Sequence, residues 1–181
     1  MKHPLSRRTL CLGSLGSLAT ILSGCGFQPV YMPTASGKTG VAQRELASIY
    51  VEIIPERPGQ VLRQALQERF GDDSGTPSAY NLSVTFTVSG QGIAIENDSI
   101  ATRLRLIGTA NWKLIGHDPK RTVLATGSAR AMDDVNIFES QYFAADLEVE
   151  AENARIAENV ATQIATRLAI WFRQQAAKQT G

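Results

Sequence analysis

The stretch Tyr80-Asn81-Leu82-Ser83-Val84-Thr85-Phe86-Thr87-Val88 decides the fold class, because apolar and polar residues alternate at every position. Successive side chains of a β-strand point to opposite faces of the sheet, so this pattern buries one face and leaves the other in water. The sheet that contains this strand therefore needs one apolar layer packed on a single side.

Three further strands are predicted around this one. A short strand covers residues 47–54, where Ile49, Val51 and Ile53 alternate with polar positions. After the central strand, two more run over about 101–115 and 121–132, and short turns join them into an antiparallel meander. Gly90-Gln91-Gly92 interrupts the central strand and predicts a β-bulge.

Two helices are predicted, over residues 58–70 and about 143–177. The second carries a stripe of apolar residues spaced by three and four, with Glu152 among the charged residues expected on other faces. The stripe consists of Ile156, Ala157, Val160, Ala161, Ile164, Ala165, Leu168, Trp171 and Phe172.

The predicted order is strand, helix, three strands, long helix. Because strands and helices are segregated instead of strictly alternating, we expect an α+β fold. The specific prediction is a two-layer sandwich of a four-stranded mixed sheet with two helices on one face, forming a single domain over residues 46–181.

Residues 1–24 are typical of an export signal. Lys2, Arg7 and Arg8 precede an apolar run over 10–22, which is too short to span a bilayer as a helix. The run Ser6-Arg7-Arg8-Thr9-Leu10 also resembles a twin-arginine signal, so the general secretory route and the twin-arginine route both remain open.

The end of this segment, Leu22-Ser23-Gly24-Cys25, resembles the bacterial lipobox. That resemblance implies that Cys25 becomes the acylated first residue of the mature protein, followed by a flexible tether to residue 45. The residue after it is Gly26 and not the aspartate that retains enterobacterial lipoproteins in the inner membrane, which favours the periplasmic face of the outer membrane. The alternative is an ordinary thiol after an ordinary leader.

The mature chain of 157 residues is nearly neutral. It carries 15 basic and 17 acidic residues, a net charge of −2, and this balance argues against a nucleic-acid partner. With Cys11 in the leader and Cys25 acylated, no cysteine remains for a disulfide, so packing alone must stabilise the domain.

The chain lacks the residue types of an active site. The histidines are His3, in the leader, and His117, in a predicted turn, so a histidine–cysteine metal site is not expected. Asp118 is adjacent to His117 in sequence and cannot orient its far ring nitrogen as a catalytic triad requires. We expect no catalytic residue, no metal and no cofactor. A lipid-anchored hydrolase using His117 is the enzymatic alternative.

One set of basic residues could bind phosphate. Arg103 and Arg105 are two positions apart on a strand and share a face, and Lys120 and Arg121 lie near the start of the next strand. Paired guanidinium groups suit bidentate binding of phosphate oxygens. These four are our candidates for a phosphate-binding site; Lys113 and Arg130 lie on or near the same strands, and a merely solvated sheet face is the alternative.

The assembled features resemble the lipopolysaccharide-assembly lipoprotein family of the LptE type, in particular its alphaproteobacterial branch. Besides the central strand, the similar stretches are Cys25-Gly26-Phe27-Gln28-Pro29-Val30-Tyr31, Ser99-Ile100-Ala101-Thr102-Arg103-Leu104-Arg105-Leu106-Ile107-Gly108, Tyr142-Phe143-Ala144 and Ala151-Glu152-Asn153-Ala154-Arg155.

The resemblance implies a non-enzymatic outer-membrane lipoprotein that plugs the β-barrel inserting lipopolysaccharide into the outer leaflet, assists assembly of that barrel and binds lipopolysaccharide. Of the site residues, the resemblance extends only to Cys25. The alternative function is that of an auxiliary lipoprotein in a lipid-transporting ABC system, whose partners would be inner-membrane or periplasm-spanning proteins.

Overall fold

The computed structural model describes residues 40–71, 78–95, 101–136 and 142–179. The predicted export signal, the acylation site Cys25, most of the predicted tether and the turn at residues 97–98 lie outside these ranges. Three helices and four strands occupy the described part of the chain. In chain order they are α1 (Val41–Ala47), β1 (Ile49–Val51), α2 (Arg57–Phe70), β2 (Tyr80–Ile95), β3 (Ala101–Gly116), β4 (Val123–Asn136) and α3 (Tyr142–Gln179).

The four strands form one mixed sheet in the order β1-β2-β3-β4. β1 is parallel to β2, because α2 carries the chain back across the sheet, and β2, β3 and β4 are antiparallel neighbours. The helices pack into a single core on one face of the sheet. The predicted α+β sandwich is therefore confirmed.

The start of the domain differs from the sequence-based expectation. Residues 41–45 were assigned to the tether and residue 47 to the first strand, whereas Val41–Ala47 is a helix. A seven-residue helix is not stable in isolation, so packing against the rest of the domain must stabilise α1. Ala42 and Leu46 are four residues apart, lie on one side and are buried in the core, and α1 contacts α3. At its end, the Ser48 hydroxyl donates to the Glu45 carbonyl at 2.7 Å.

The alternation along β2 is confirmed. Leu82, Val84 and Phe86 are buried, and their partners on β3 are Leu114, Trp112 and Ala110, which are buried as well. The pairing register shifts between Gly92 and Ile95, which places the irregularity immediately after the predicted glycine bulge. One face of the meander is therefore apolar along its length, as the quoted stretch predicted.

The long helix α3 covers this apolar face. Its 38 residues span about 57 Å at 1.5 Å per residue. The predicted stripe is confirmed: from Ile156 to Leu168 its residues are at most 1% exposed, Phe172 is buried, and Trp171 is half-buried against the same core. A helix of this length contacts both β3 and β4 as well as the two shorter helices.

Gly108 on β3 allows the close approach of α3 to the sheet. A methyl group at this position would clash with Cγ2 of Ile156 on the helix and would lie 3.1 Å from Cε2 of Phe86 on β2. Both neighbours are buried, so neither has solvent to move into.

We therefore expect Gly108→Ala to destabilise the protein by about 1–3 kcal/mol through overpacking, measured as a shift in the urea unfolding midpoint. Gly90→Ala is the matched control. Its added methyl would meet only the terminal atoms of Leu104 at 3.2 Å and beyond, so the loss should be smaller. Equal losses in the two variants would contradict this account of helix packing.

Glu152 departs from the prediction that it occupies an exposed face of α3. Its exposed fraction is 8%, its carboxylate accepts a hydrogen bond from Arg155, and its Oε2 has no donor in the described structure. Burial, together with the hydrogen-bonded carboxyl group of Asp133 on β4, raises the pKa of Glu152, and Arg155 offsets only part of this shift. The ionised form of Glu152 is thus less favourable at the junction of α3 and β4 than it is in water.

A raised carboxyl pKa contributes stability that is present below the unfolded pKa of 4.5 and is lost as the pH rises through the folded pKa. Relative to the wild type, Glu152→Gln should therefore become more stable as the pH rises from about 4.5 through the folded pKa of Glu152, and the difference should then level off. Urea unfolding across this range measures the difference. A stability difference that does not change with pH would contradict the shared environment of Glu152 and Asp133.

Candidate functional site

The face of the sheet opposite the helices is polar. Hydroxyl and amide side chains project from the middle of this open face, in register across the three long strands. Thr85, Asn111 and Ser128 form one row, and Ser83, Lys113 and Thr126 form the next. The two rows line a shallow depression of about 460 Å³. Because most of these groups are short and uncharged, the surface suits hydrogen bonding to a polar partner over a broad area.

Arg103 and Arg105 project from this open face near one end of β3. Both contact Asp134 on β4, which is the register partner of Arg105. Nε of Arg105 donates to Oδ1 of Asp134 at 2.8 Å and Nη2 donates to Oδ2 at 3.1 Å, which is a bidentate pair. Nη2 of Arg103 lies 3.2 Å from Oδ2. The structure therefore brings these two predicted site residues together.

Asp134 aligns the two guanidinium groups and neutralises one of them. Its hydrogen bond with Arg105 lowers the pKa of the Asp134 carboxyl group, and the same bond raises the pKa of Arg105. The three-residue cluster keeps a net charge of +1 over the neutral pH range. The Arg103 side chain is 51% exposed, so it has N–H donors free for an anion.

Lys120 and Arg121 lie at the other end of β3, in the turn before β4. Arg121 has a positive φ of 49° and its Nη2 donates to Oε1 of Glu52 at 3.0 Å. Gly116 lies eleven positions after Arg105 along the extended strand, which corresponds to about 36 Å. The four predicted phosphate ligands therefore form two separate basic sites and not one patch.

The same turn contains His117 and Asp118. His117 is exposed, and the Asp118 carboxylate accepts hydrogen bonds from the backbone N–H of Thr122 at 3.0 Å and from its hydroxyl group at 2.8 Å. These bonds lower the pKa of Asp118. Asp118 thus serves to close the turn. Across the part of the chain that the structure describes, no three histidine, cysteine or acidic side chains come together as metal ligands would.

A groove that sequence reasoning missed lies beside this turn. It has a volume of about 470 Å³ and is lined by residues of α1, the starts of β2 and β4, and the end of α3. Tyr80, Phe172 and Trp171 form an aromatic cluster in it, with ring centroids 5.2 and 5.0 Å apart. Residues from four elements meet here, so no local pattern could have indicated the groove.

Tyr80 closes one side of this groove. Its hydroxyl group donates to Oε2 of Glu45 on α1 at 3.0 Å. Burial and then the Glu45 carboxylate raise the pKa of Tyr80 to about 12. This hydrogen bond connects α1 to β2 and gives the Glu45 carboxylate a partner within the domain.

Comparison with known proteins identifies the family. The LptE family model, described as lipopolysaccharide-assembly, matches residues 46–168. The chain belongs to the LptE family. This is a family of non-enzymatic, envelope-associated lipoproteins, and membership assigns the chain a general role in lipopolysaccharide assembly. Comparison with curated proteins finds no match.

Solved structures of bacterial lipoproteins share the LptE fold seen here. A lipoprotein from Caulobacter crescentus is 23% identical, with a TM-score of 0.62, over 75% of this chain and 98% of its own. A minor lipoprotein from Acinetobacter baumannii is 15% identical, with a TM-score of 0.53, over 67% and 90%. Lipoprotein B from Nitrosomonas europaea is 13% identical, with a TM-score of 0.51, over 68% and 82%.

None of the helices in the described residues combines the length and the apolar character needed to cross a membrane. The long helix α3 is instead amphipathic, with one side buried in the core of the domain.

Proposed function

We propose that this LptE-family protein is an outer-membrane lipoprotein that partners and plugs the β-barrel inserting lipopolysaccharide into the outer leaflet. The family match over residues 46–168 carries the proposal. In this role the protein assists assembly of the barrel and acts by binding, without catalysing a reaction. The comparisons favour lipopolysaccharide assembly over an auxiliary role in an ABC system.

The N-terminal features support attachment to the membrane. The proposal includes removal of residues 1–24, acylation of Cys25 and residence on the periplasmic face of the outer membrane. The stretch after Cys25 and the other similar segments favour the alphaproteobacterial branch of the family.

The open sheet face is the surface we assign to the barrel wall. The lumen of a large β-barrel is polar, so a plug must present polar groups without burying unpaired charge. The row formed by Thr85, Asn111 and Ser128 meets this requirement with short hydroxyl and amide groups. The helical layer supplies the core behind this face and keeps the sheet intact inside the lumen.

A tagged form of this protein should copurify a large outer-membrane β-barrel protein, and its depletion should lower surface lipopolysaccharide. Thr85→Glu combined with Thr87→Glu should reduce recovery of the barrel, because two desolvated carboxylates would face its wall. Ala151→Glu combined with Asn159→Glu places equal charge on the exposed side of α3 and should leave recovery unchanged.

Absence of a barrel protein from the purified material, together with unchanged surface lipopolysaccharide after depletion, would overturn the proposed function. Equal recovery with both double variants would instead remove the open face from the interface.

The two basic sites are candidates for the phosphates of lipopolysaccharide. Arg103 and Arg105, aligned by Asp134, offer planar donors that match phosphate oxygens. Lys120 and Arg121 offer a second cationic position at the far end of the strand. Lipopolysaccharide is anionic and acylated, so either site would contact its phosphorylated headgroup and not its acyl chains.

Replacing Arg103 and Arg105 with glutamate should weaken lipopolysaccharide binding about tenfold or more, because hydrogen bonds to charged groups are worth about 1.5–3 kcal/mol each. Lys113→Glu with Arg130→Glu is the charge-matched control on the same strands. Circular dichroism checks the fold of both variants. Unchanged binding by a folded Arg103→Glu/Arg105→Glu protein would remove this pair from the site, and Lys120→Glu/Arg121→Glu then tests the other.

A further inference from the structure

The aromatic groove is an apolar surface that the described residues leave open. Its lining includes Val123, which is 51% exposed, and Leu124, which is 37% exposed. The rings of Tyr80, Trp171 and Phe172 lie beside these aliphatic side chains. Apolar side chains that remain exposed around a concave surface mark a place where another group binds. The groove therefore suits a segment with aromatic and aliphatic side chains.

The end of α3 sets the length of the groove. Trp171, Gln175 and Gln179 are four residues apart and form one wall of it. At 1.5 Å per residue this wall is about 12 Å long. The two glutamine side chains carry amide groups that both donate and accept hydrogen bonds. The groove can thus hydrogen-bond to the backbone of a bound segment while its rings contact apolar side chains.

The chain contains a segment of matching chemistry before the domain. We call residues 26–33, Gly26-Phe27-Gln28-Pro29-Val30-Tyr31-Met32-Pro33, the proline segment; it has no charged residue. Pro29 and Pro33 fix their own φ angles and disfavour the helical region for the residues before them, so the sequence favours an extended, polyproline-like backbone. Four residues of such a backbone, at 3.1 Å each, reach about 12 Å, which is the length of the groove wall. Preformed extended segments of this kind bind grooves lined by aromatic rings.

The proline segment is linked directly to the groove. Val41, the first residue of α1, is itself a lining residue, and only the spacer Thr34-Ala35-Ser36-Gly37-Lys38-Thr39-Gly40 separates it from Pro33. A short spacer rich in glycine and small polar residues gives the attached group an effective concentration in the millimolar range, so a weak affinity for the groove is sufficient.

Chemistry, and not the reach of the spacer, selects the groove as the binding surface. A second depression, on the open sheet face, is lined mostly by hydroxyl, amide and amino groups, such as those of Thr85, Asn111 and Lys113. An uncharged segment with two aromatic rings finds no matching apolar surface there. In the groove the same segment would cover Val123 and Leu124, which are otherwise exposed.

We propose that the proline segment folds back onto its own domain and occupies the aromatic groove, with its apolar side chains on Trp171, Val123 and Leu124. Fifteen residues lie between Cys25 and Val41, and docking of the proline segment removes most of this free length. With Cys25 acylated as proposed above, the anchor leaves the domain at the groove instead of at the end of a long connection. The docking itself does not rest on acylation.

Proteolysis of the mature chain, residues 25–181 with the Cys25 thiol free, tests the docking without membrane or barrel. Chymotrypsin cleaves after tyrosine, and cleavage after Tyr31 reports the population in which the proline segment is released. Val123→Ser with Leu124→Ser should speed this cleavage about fivefold or more, because the docked segment loses apolar contacts. Circular dichroism checks that the variant remains folded.

The matched control replaces two exposed apolar side chains that do not line the groove. Ile53 is 79% exposed and Met132 is 54% exposed. Ile53→Ser with Met132→Ser should change the rate of cleavage after Tyr31 by no more than about twofold. The protection should also be independent of protein concentration. Protection that increases with concentration would mean that a second copy supplies the segment, and it would overturn the inference.

A second experiment changes the proline segment and leaves every described residue intact, so a folding defect of the domain cannot explain the result. Phe27→Ser with Tyr31→Ser should shift the fluorescence emission of Trp171 to longer wavelength, because the indole ring loses its cover. In a Trp171→Phe background the shift should be absent, since Trp112 is buried and does not line the groove.

The control for this experiment lies in the spacer: Thr34→Ala with Thr39→Ala should leave the emission unchanged. Equal cleavage rates in the groove variant and its control would overturn the inference, and so would an unchanged emission in the Phe27→Ser/Tyr31→Ser protein. None of these measurements involves acylation, lipopolysaccharide or the barrel, so failure of the docking and failure of the proposed function are distinguishable.

Discussion

The close contact between α3 and the strands β3 and β4 is the interaction on which the rest of the structure depends. The apolar face of the meander must be covered by another layer, because the apolar side chains of β2 and β3 would otherwise remain in water. Gly108 lets the helix approach the sheet, and the stripe from Ile156 to Phe172 fills the space between them. The two shorter helices complete this layer, and α1 packs on α3 with Leu46 buried in the core.

Coverage of a single face creates the surface that the protein has available for partners. The opposite face of the sheet stays open, and its threonine, serine and asparagine side chains are polar enough to remain in contact with water or with a polar wall. Charge on this face is balanced only in part, because Asp134 binds both Arg103 and Arg105 and the three residues keep a net charge of +1. The middle of this face suits a confined polar space, since it presents short hydroxyl and amide side chains that can hydrogen-bond to a polar wall.

The two ends of the sheet have different chemistry. One end carries the aligned arginines, and the other carries the turn with Lys120, the aromatic groove and the first residue of the described domain. The length of β3 keeps these ends apart, so one anionic group cannot contact both. The domain is therefore chemically different at its two ends along the strands. The groove and the turn lie at the end where the chain enters, and the aligned arginines lie at the opposite end.

The sequence by itself determined the fold class, the long helix and the buried side of β2, because these follow from periods of two and about 3.6 residues that are readable along the chain. In the first strand the alternation held for Ile49 and Val51 and failed at Ile53, which is exposed beyond the end of β1. The alternation from Tyr80 to Val88 and the stripe on α3 needed no tertiary information. Only the tertiary structure decided that Glu152 is buried beside Asp133, that residues 41–47 are helical and that the four basic candidates separate into two sites. Each of these depends on a neighbour far away in sequence, or on the distance that a strand spans, and local periodicity contains neither.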